Sequence, residues 1–410
     1  MKARASQSPA SRSAPFRRRD ALRILTAVPL CDGHDSAIMT VNLELVRHGI
    51  QVIYLGYNRS VRDVVRAAVQ EDVQAVGLSS YNGGHVEFFT EVRNGLRGAG
   101  AGHIGLFGGG GGTITPADVR VMKRRGVDEI FSAGSSLSGM TKWVKESYSG
   151  STSSSFPSSS SWFLQAWGSR TRTRTRTIAH AWGGRLGSRR EQASVSNHAG
   201  RMVRAELANA LAGVPVIGFT GPGGAGKTTL IDELVLRFLR TWPGRRIAIL
   251  THDPSMPNGG ALLGDRAAMV YAHDDRVFMH SLAASERHGG ISGDTKAWLQ
   301  ILKGADFDLV LVESAGIGQQ DMPFADGLVN GRVLVLSPEY GGSLQLQKIA
   351  MLEGADVVVV NKADRPGART AIVEVGHRVA MSRKGQKIIP TVANRHGDEG
   401  VDELFRELIQ

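Results

Sequence analysis

The stretch Val216-Ile-Gly-Phe-Thr-Gly-Pro-Gly-Gly-Ala-Gly-Lys-Thr-Thr-Leu230 joins an apolar run, a glycine-rich loop and the start of a periodic apolar segment. Within it, Gly221 to Thr228 has the spacing G-x-x-x-x-G-K-[ST] of a phosphate-binding loop. The glycines let backbone N–H groups turn toward phosphate oxygens without Cβ clashes. Lys227 can reach the β and γ phosphates, and the Thr228 hydroxyl can bind Mg²⁺. The order of strand, loop and helix predicts a nucleotide-binding α/β domain rather than a chance glycine-rich turn.

A second motif, Asn361-Lys-Ala-Asp364, narrows the choice of nucleotide. It follows the apolar run 356–360, which is typical of a buried parallel strand. The Asp364 carboxylate can accept hydrogen bonds from the N1–H and the exocyclic N–H of guanine, whereas adenine offers no such donor pair. The tetrapeptide alone could equally cap the following helix. Together with a phosphate-binding loop about 130 residues earlier, it favours GTP over ATP.

Three acidic residues between the two motifs are candidates for a magnesium site. Asp253 and Glu313 each follow an apolar run, and Asp265 follows a glycine-rich turn. Carboxylates at the carboxyl ends of parallel strands converge on the crevice where nucleotides bind. Each residue alone would be an ordinary turn acid, but the three together predict carboxylates that bind Mg²⁺ or hold its waters. Gly316 and Gly318 could flex as a switch that senses the γ-phosphate.

Four stretches of this region resemble the metallochaperone GTPases that serve cobalamin-dependent mutases. They are D-P-S to G-D-R (253–266), E-S-A-G-I-G-Q (313–319), S-P-E-Y-G-G-S-L-Q-L-Q-K (337–348) and N-K-A-D (361–364). The chain departs from the family pattern in two ways. The segment 253–265 is one residue shorter, and Ser314 stands where threonine is usual.

The resemblance implies a set of site residues. Those that would bind GTP are Gly224, Ala225, Gly226, Lys227, Thr228, Thr229, Asn361, Lys362, Ala363 and Asp364. Those that would hold Mg²⁺ are Thr228, Asp253, Asp265, Glu313 and Ser314. The residues that would carry the hydrolysis of GTP are Lys227, Asp253 and Glu313.

The first third of the chain has a motif of its own, Cys31-Asp-Gly-His-Asp-Ser-Ala-Ile38, which follows the apolar run 21–30. A histidine in such a loop can present one imidazole nitrogen to a metal while a nearby carboxylate fixes the other nitrogen. His34 and Asp32 are predicted to have these roles. An isolated Asp-Gly-His would more often be an exposed loop histidine beside a helix-capping aspartate.

This segment resembles the D-x-H-x-x-G signature of cobalamin domains in which a histidine is the lower ligand of cobalt. Ala37 stands in place of the last glycine. The resemblance implies that His34 binds cobalt and that Asp32 holds the other imidazole nitrogen. The residues that would lie beside the displaced dimethylbenzimidazole tail are Ser79, Gly108 and Gly109.

The run Asp-Gly-His-Asp followed by two small residues (32–37) resembles the fused isobutyryl-CoA mutases, which carry a cobalamin domain, a GTPase and a substrate barrel in one chain, in that order. We predict a disordered basic tail at 1–20, a cobalamin-binding domain at 21–148, a low-complexity linker at 149–202 and a GTPase domain at 203–410. Both domains are expected to be doubly wound α/β domains with mostly parallel sheets, the first flavodoxin- or Rossmann-like. No stretch remains for the barrel, which needs ~250 residues.

The predicted function is a cobalamin-binding GTPase whose hydrolysis of GTP gates the loading of an acyl-CoA mutase, of the isobutyryl-CoA or methylmalonyl-CoA type. Its cofactors would be adenosylcobalamin, GTP and Mg²⁺. Its partners would be a separate mutase barrel and further copies of the chain. Two alternatives stay open. The chain could be a fragment or small subunit of an acyl-CoA mutase, or a cobalamin sensor without catalytic activity.

The net charge of +11 does not arise in the predicted domains. Residues 1–20 carry +5 and residues 151–204 carry +8, so the remainder sums to about −2 and indicates no nucleic-acid groove. No apolar stretch approaches the roughly 20 residues that a membrane helix needs. The one cysteine, Cys31, favours a reducing compartment. We therefore expect a cytoplasmic protein, or a mitochondrial one if the source is eukaryotic.

Overall fold

A computed structural model of the chain describes residues 21–30, 32–33, 36–149, 214–284, 289–316, 323–324, 327–340, 351–381 and 385–409. Several predictions fall outside these residues: the basic tail at 1–20, residues 150–202 of the linker, the cobalt ligand His34 and the switch glycine Gly318.

The strands of the described residues alternate with helices along the chain. The strands, β1 to β13, are Arg23–Ala27, Gln51–Tyr54, Ala75–Ser79, Gly105–Gly109, Glu129–Phe131, Val216–Thr220, Ile247–Pro254, Ala261–Leu263, Val277–Ala284, Leu309–Glu313, Gly331–Leu336, Val357–Val360 and Lys387–Pro390. The helices, α1 to α11, are Ser36–Arg47, Val61–Gln70, His85–Gly98, Pro116–Arg124, Leu137–Tyr148, Lys227–Thr241, Asp265–Ala268, Thr295–Gly304, Met351–Gly354, Ala368–Met381 and Glu399–Ile409. Of these helices, none is both long and apolar enough to cross a membrane.

Local sequence explains many of these elements. Strands β1, β6, β10 and β12 are buried throughout, as expected where helices cover both faces of a sheet. Helices α2 and α4 begin at capping boxes, in which Ser60 pairs with Asp63 and Thr115 with Asp118. Pro116 occupies the first turn of α4, where no intrahelical bond needs its missing N–H.

The first sheet has the strand order β5-β4-β3-β1-β2-β8, and all of its ladder pairings are parallel. The order reverses between β1 and β3, because the chain moves outward from β1 to β2 and then returns to β3 on the other side. In such a sheet the loops at the carboxyl ends of these two strands form a crevice that binds ligands. Asp32 lies in one of these loops, and Ser79 is the last residue of β3, directly before the other.

The second sheet has the order β13-β12-β11-β6-β10-β7-β9, again with parallel ladder pairings. The phosphate-binding loop follows the central strand β6 and leads into α6. Strands β10 and β7 lie on one side of β6 and carry Glu313 and Asp253 at their carboxyl ends. The prediction of two doubly wound α/β domains with mostly parallel sheets is confirmed.

Strand β8 connects the two sheets. It lies between Asp253 and Asp265 in sequence, close to the phosphate-binding loop, yet it pairs with β2 of the first sheet. Ala261 and Leu263 are buried in the same apolar core as β1 and β3. A segment between two predicted magnesium ligands is therefore an edge strand of the other domain.

We expect Leu263→Ala to destabilise the first domain, because Leu263 is fully buried in that core. Truncating a buried leucine costs about 2–5 kcal/mol of unfolding free energy. Urea denaturation followed by far-UV circular dichroism measures this loss. The control is Leu43→Ala, because Leu43 is 45% exposed and its truncation should cost under about 1 kcal/mol. Equal losses of unfolding free energy in the two variants would contradict the burial of Leu263 in the core formed with β1 and β3.

Candidate functional site

The phosphate-binding loop has a backbone that requires its glycines. Gly221, Gly224 and Gly226 have φ angles of 143°, 74° and 87°, which only glycine adopts without strain. A Cβ at Gly226 would also lie 2.3 Å from Asn361 Nδ2. The loop ends at the N-terminus of α6, which has no side-chain cap. Its first N–H groups and the helix dipole therefore favour an anion.

Lys227 is buried within this loop and is only 6% exposed. Its Nζ donates hydrogen bonds to the carbonyl oxygens of Gly221 at 3.1 Å and Pro222 at 3.3 Å. The ammonium group is thereby held over the loop instead of in solvent. A bound phosphate would offer it a charged acceptor in place of two neutral carbonyls.

The fold brings four predicted metal-site residues together at the start of α6. Thr228 Oγ1 lies 2.9 Å from Glu313 Oε1 and 3.4 Å from Asp265 Oδ1. Asp253 binds the residue before Asp265, because its Oδ2 accepts a hydrogen bond from the Gly264 N–H at 2.9 Å. These residues come from α6, β10, β7 and the start of α7, which are distant in sequence.

Burial disfavours the charged forms of the three carboxyl groups, and the charge of Asp265 adds to this effect at Asp253 and Glu313. Burial, followed by the charge of Asp265, raises the pKa of Asp253 to about 7. Burial raises the pKa of Asp265 to about 6, although Lys227 acts in the opposite direction. Burial, again followed by the charge of Asp265, raises the pKa of Glu313 well above its usual value. A cation at this cluster would offset the repulsion, because an opposite charge favours the ionised form.

The donor set suits Mg²⁺. Its ligands would be hard carboxylate and hydroxyl oxygens, and Glu313 Oε2 is buried without a hydrogen-bond partner among the described residues. No three His, Cys, Asp or Glu side chains in the described part of the chain converge closely enough to hold a metal ion by themselves. Mg²⁺ commonly keeps several waters and binds one or two carboxylates together with nucleotide phosphates. The cluster fits that mode of binding.

Ser314 and Gly316 lie between β10 and the phosphate-binding loop. The Ser314 hydroxyl donates to Thr220 Oγ1 at 2.9 Å and so binds strand β6. Its role as a magnesium ligand stays a prediction; the hydroxyl oxygen keeps its lone pairs while it donates this hydrogen bond. A Cβ at Gly316 would lie 2.6 Å from Gly223 Cα and 3.3 Å from Lys227 Nζ. Glycine at this position therefore lets the predicted switch approach the phosphate-binding loop.

His252, a buried residue of β7, is a functional candidate that was not predicted from the sequence. Its Nδ1 lies 2.6 Å from the Glu313 carbonyl oxygen, and its Nε2 lies 2.8 Å from Thr295 Oγ1. Burial lowers the pKa of His252 to about 4, so the ring is neutral at pH 7. The Glu313 carbonyl needs a donor, so Nδ1 carries the proton. The Thr295 hydroxyl beside Nε2 also lies 2.7 Å from the Ser292 carbonyl oxygen. His252 thus fixes the strand end that presents Glu313. The only sequence signal was a polar residue in an apolar strand, next to Asp253.

Asn361 joins the predicted guanine-binding loop to the phosphate-binding loop. Its Nδ2 donates to the Ala225 carbonyl oxygen at 2.9 Å. Its Oδ1 accepts from Thr391 Oγ1 at 3.1 Å and from the Ala393 N–H at 3.0 Å. One amide side chain therefore sets the spacing between the two loops.

The other predicted nucleotide-binding residues lie around these loops. Asp364 is exposed at the end of the guanine-binding loop. Before it, Lys362 has a φ of 58°, and the Ala363 N–H donates to the Thr391 carbonyl oxygen at 3.0 Å. Thr229 is exposed in the first turn of α6. Their contacts with GTP stay predictions.

In the first domain, Asp32 spans the crevice between β1 and β3. It is 2% exposed, and its Oδ2 accepts a hydrogen bond from the Tyr81 N–H at 2.6 Å. This bond joins the loop after β1 to the loop after β3, and Ser79 at the end of β3 is also buried. His34 lies outside the described residues, so its bond to Asp32 stays a prediction.

Gly108 and Gly109 end strand β4 and are required by sheet packing. A Cβ at Gly108 would lie 2.3 Å from the Leu78 carbonyl oxygen, and one at Gly109 would lie 2.5 Å from the Phe131 carbonyl oxygen. Glycine lets the neighbouring strands β3 and β5 approach closely here. This packing does not test the predicted position of these glycines beside the dimethylbenzimidazole tail, which stays a prediction.

Residues 189–410 match the family described as methylmalonyl-CoA mutase-associated GTPase MeaB. The chain belongs to this family. Residues 22–137 match the B12 binding domain family. The predicted resemblance, a cobalamin domain ahead of a mutase-associated GTPase, is confirmed. The two matches together imply a cobalamin site and a nucleotide site in one chain.

Two relatives are fused isobutyryl-CoA mutases. The protein from Geobacillus kaustophilus is 36% identical over 96% of this chain and 37% of its own length. The protein from Cupriavidus metallidurans is 38% identical over 95% of this chain and 35% of its own length. The methylmalonic aciduria type A homolog of Mus musculus is 32% identical over 46% of this chain and 47% of its own length. The chain therefore spans little more than a third of the fused mutases.

We expect Gly226→Ala to destabilise the nucleotide-free protein by about 1–3 kcal/mol, because φ is positive and the added Cβ would meet Asn361. The control is Gly223→Ala in the same loop. A Cβ there would lie 3.6 Å from its nearest neighbour, the Gly316 carbonyl oxygen, an ordinary contact distance. Thermal melting without nucleotide measures both variants. A control that melts as low as Gly226→Ala would contradict the assigned loop geometry.

Proposed function

We propose that this chain is a cobalamin-binding GTPase whose GTP cycle gates the loading of adenosylcobalamin into the barrel of an acyl-CoA mutase. The observation that carries the proposal is the contact of Thr228 with Asp265 and Glu313, beside Lys227 in the phosphate-binding loop. This contact supports a cation site next to the phosphates of a bound nucleotide. Membership of the mutase-associated GTPase family and the adjoining B12 domain support a mutase as the partner.

The nucleotide in this proposal is GTP. Gly224 to Thr229 would surround the phosphates, and Asn361 to Asp364 would bind the guanine base. The hydrogen bond between Asn361 and Ala225 supports this arrangement, because it holds the two loops at a fixed spacing. The exposed Asp364 carboxylate is accessible to the N1–H and exocyclic N–H of the base.

Hydrolysis would follow in-line attack of water on the γ-phosphate. Lys227 would leave the carbonyls of Gly221 and Pro222 and stabilise the charge of the transferring phosphoryl group. The N–H groups at the start of α6 would bind the same oxygens. A bound Mg²⁺ would supply further positive charge there; the residues that would hold it, directly or through water, are Thr228, Asp253, Asp265, Glu313 and Ser314. Turnover should be slow until a partner helps to position the attacking water.

In the first domain, we assign His34 as the lower cobalt ligand and Asp32 as the acceptor of its other ring N–H. The D-x-H motif and the position of buried Asp32 at the switch point support this assignment. Ser79, Gly108 and Gly109 would lie beside the displaced tail of the cofactor. When bound, adenosylcobalamin supplies radical chemistry through its cobalt–carbon bond.

A second function is favoured by the alignment of 96% of this chain with 37% of a fused isobutyryl-CoA mutase. The chain would then be one part of an acyl-CoA mutase that acts only beside a separate barrel. Isomerase activity of the purified chain alone would contradict both proposals. Association with further copies of the chain also stays a prediction.

We expect Lys227→Ala to lower GTP hydrolysis by the purified chain about 100-fold or more, because the variant loses the cation over the phosphates. Release of inorganic phosphate at saturating GTP and Mg²⁺ measures this loss. Lys303→Ala, at an exposed position of α8, is the control and should retain wild-type activity. Undiminished hydrolysis by Lys227→Ala would refute the assigned site. A wild type that binds GTP without hydrolysing it would favour a cobalamin sensor instead.

We expect wild-type protein to shift the absorption spectrum of added adenosylcobalamin, because a histidine would become the lower ligand of cobalt. His34→Ala should lose this shift, whereas His103→Ala, at an exposed position, should keep it. Visible absorption spectroscopy makes the comparison. An unchanged spectrum with the wild type would show that the first domain does not bind the cofactor through His34.

A further inference from the structure

A buried charged cluster joins the two domains at Glu71, the residue that follows α2. Glu71 Oε2 lies 3.1 Å from Arg23 Nη2 in β1, and Glu71 Oε1 lies 2.9 Å from Arg266 Nε in α7. All three side chains are 1% exposed or less. The Ser281 N–H and hydroxyl donate to the two carboxylate oxygens at 2.8 Å and 3.1 Å. The Glu71 carboxylate is therefore fully bound in an interior where its charge needs partners.

The cluster fixes the position of Arg266 from the side of the first domain. Besides Glu71, the guanidinium binds Gln70 Oε1 at 3.0 Å and the Met279 carbonyl oxygen. Its planar fork thus spans the end of α2 and the strand β9 of the second sheet. Arg266 belongs to a helix of only four residues, Asp265–Ala268, so these outside contacts are its main restraint.

Arg266 directly follows Asp265, whose Oδ1 lies 3.4 Å from Thr228 Oγ1. On the other side, the Gly264 N–H binds Asp253, and β8 just before it pairs with β2. The first domain therefore holds the backbone of this segment both before and after Asp265. The hold of the first domain on the segment around Asp265 does not extend to the phosphate-binding loop, because that loop lies between β6 and α6.

We propose that Glu71 is a positioning residue for the metal site of the GTPase domain and that it acts through Arg266. The proposal rests on the Mg²⁺ and GTP site proposed above. Glu71 holds Arg266, Arg266 holds the start of α7, and α7 presents Asp265 to Thr228. A side chain of the cobalamin domain thereby sets how well the nucleotide site binds its cation. Affinity for GTP without Mg²⁺ depends on the phosphate-binding loop and is independent of Glu71.

Three variants of the full chain test this assignment. Arg266→Lys keeps the buried positive charge but lacks the planar fork that reaches Glu71 and Gln70. Glu71→Gln keeps the shape of the side chain and removes its charge. Arg23→Lys is the matched control, because Arg23 binds the same carboxylate but is remote from Asp265 in sequence. A fluorescent GTP analogue is titrated in EDTA and at rising Mg²⁺, at a temperature where the variants match the wild type by circular dichroism.

In Arg266→Lys and Glu71→Gln, the Mg²⁺ concentration that gives half-maximal tightening of GTP binding should rise about 10-fold or more. Their affinity for GTP in EDTA should equal that of the wild type, and saturating Mg²⁺ should restore hydrolysis. Arg23→Lys should lose stability but keep the wild-type requirement for Mg²⁺.

Equal Mg²⁺ requirements in Arg266→Lys and Arg23→Lys would overturn the assignment of Glu71 while leaving the GTPase proposal intact. If Glu71→Gln does not fold, the assignment is decided by comparing the Mg²⁺ requirements of Arg266→Lys and Arg23→Lys, which both keep the positive charge. A wild type whose affinity for GTP is independent of Mg²⁺ would contradict the proposed metal site itself, and with it this assignment.

Discussion

The backbone pairing of β2 with β8 is the constraint on which the arrangement of the two domains depends. Strand β8 has only three residues, but its pairing covers one edge of the first sheet. One edge strand of the second sheet is β9, and the end of α2 covers it, with Gln70 Nε2 donating to the Val277 carbonyl oxygen at 3.0 Å. Each domain therefore covers a sheet edge of the other. A relative shift of the two domains would expose unpaired backbone groups on both edges.

The pairing of β2 with β8 also brings the candidate metal site and the candidate cobalamin site to the same side of the first sheet, at the carboxyl ends of its strands. Because β8 runs parallel to β2, its carboxyl end lies on the same side of the first sheet as the loops after β1 and β3. Asp265 follows β8 by two residues, and Asp32 follows β1. Neighbouring strands are about 4.8 Å apart, so β8 is only two strand spacings, about 10 Å, from β1. The candidate metal site and the candidate cobalamin crevice are thus near neighbours through the sheet, although they lie far apart in sequence.

Much of this arrangement could be predicted from sequence because its determinants are local. The phosphate-binding loop needs glycines at fixed spacings, and a run of four valines such as 357–360 strongly favours a buried strand. The carboxylates at 253 and 313 could be grouped because strand ends in a parallel sheet converge. Asp265 joins them although β8, the strand before it, belongs to the first sheet. The side-chain hydrogen bond of Ser314 to Thr220 is one contact at this site that local reasoning does not suggest.

The long-range contacts could not be predicted in this way. Three residues of β8 carry too short a pattern to indicate a strand, and nothing local shows that their partner begins at Gln51. Arg266 was visible only as part of a family motif, while its partner Glu71 is 195 residues away in sequence. The sequence around His252 does not indicate its role either, because its bonds to a carbonyl and to Thr295 depend on the final packing. Such pairings are set by tertiary structure, which a single sequence does not display.

The geometry also limits how a nucleotide signal can reach the cofactor. If the bound nucleotide moves Asp265, the movement must either pass through β8 and Arg266 into the first domain or break the contacts that hold them there. Thermodynamic linkage makes the effect reciprocal, so cobalamin must change nucleotide affinity by the same factor. Typical coupling free energies of about 1–3 kcal/mol correspond to changes of roughly 5- to 150-fold. That range is enough to shift occupancy between loaded and empty states. Coupling by this route uses only residues of the cobalamin and GTPase domains, so a substrate barrel would respond to the switch without having to transmit it.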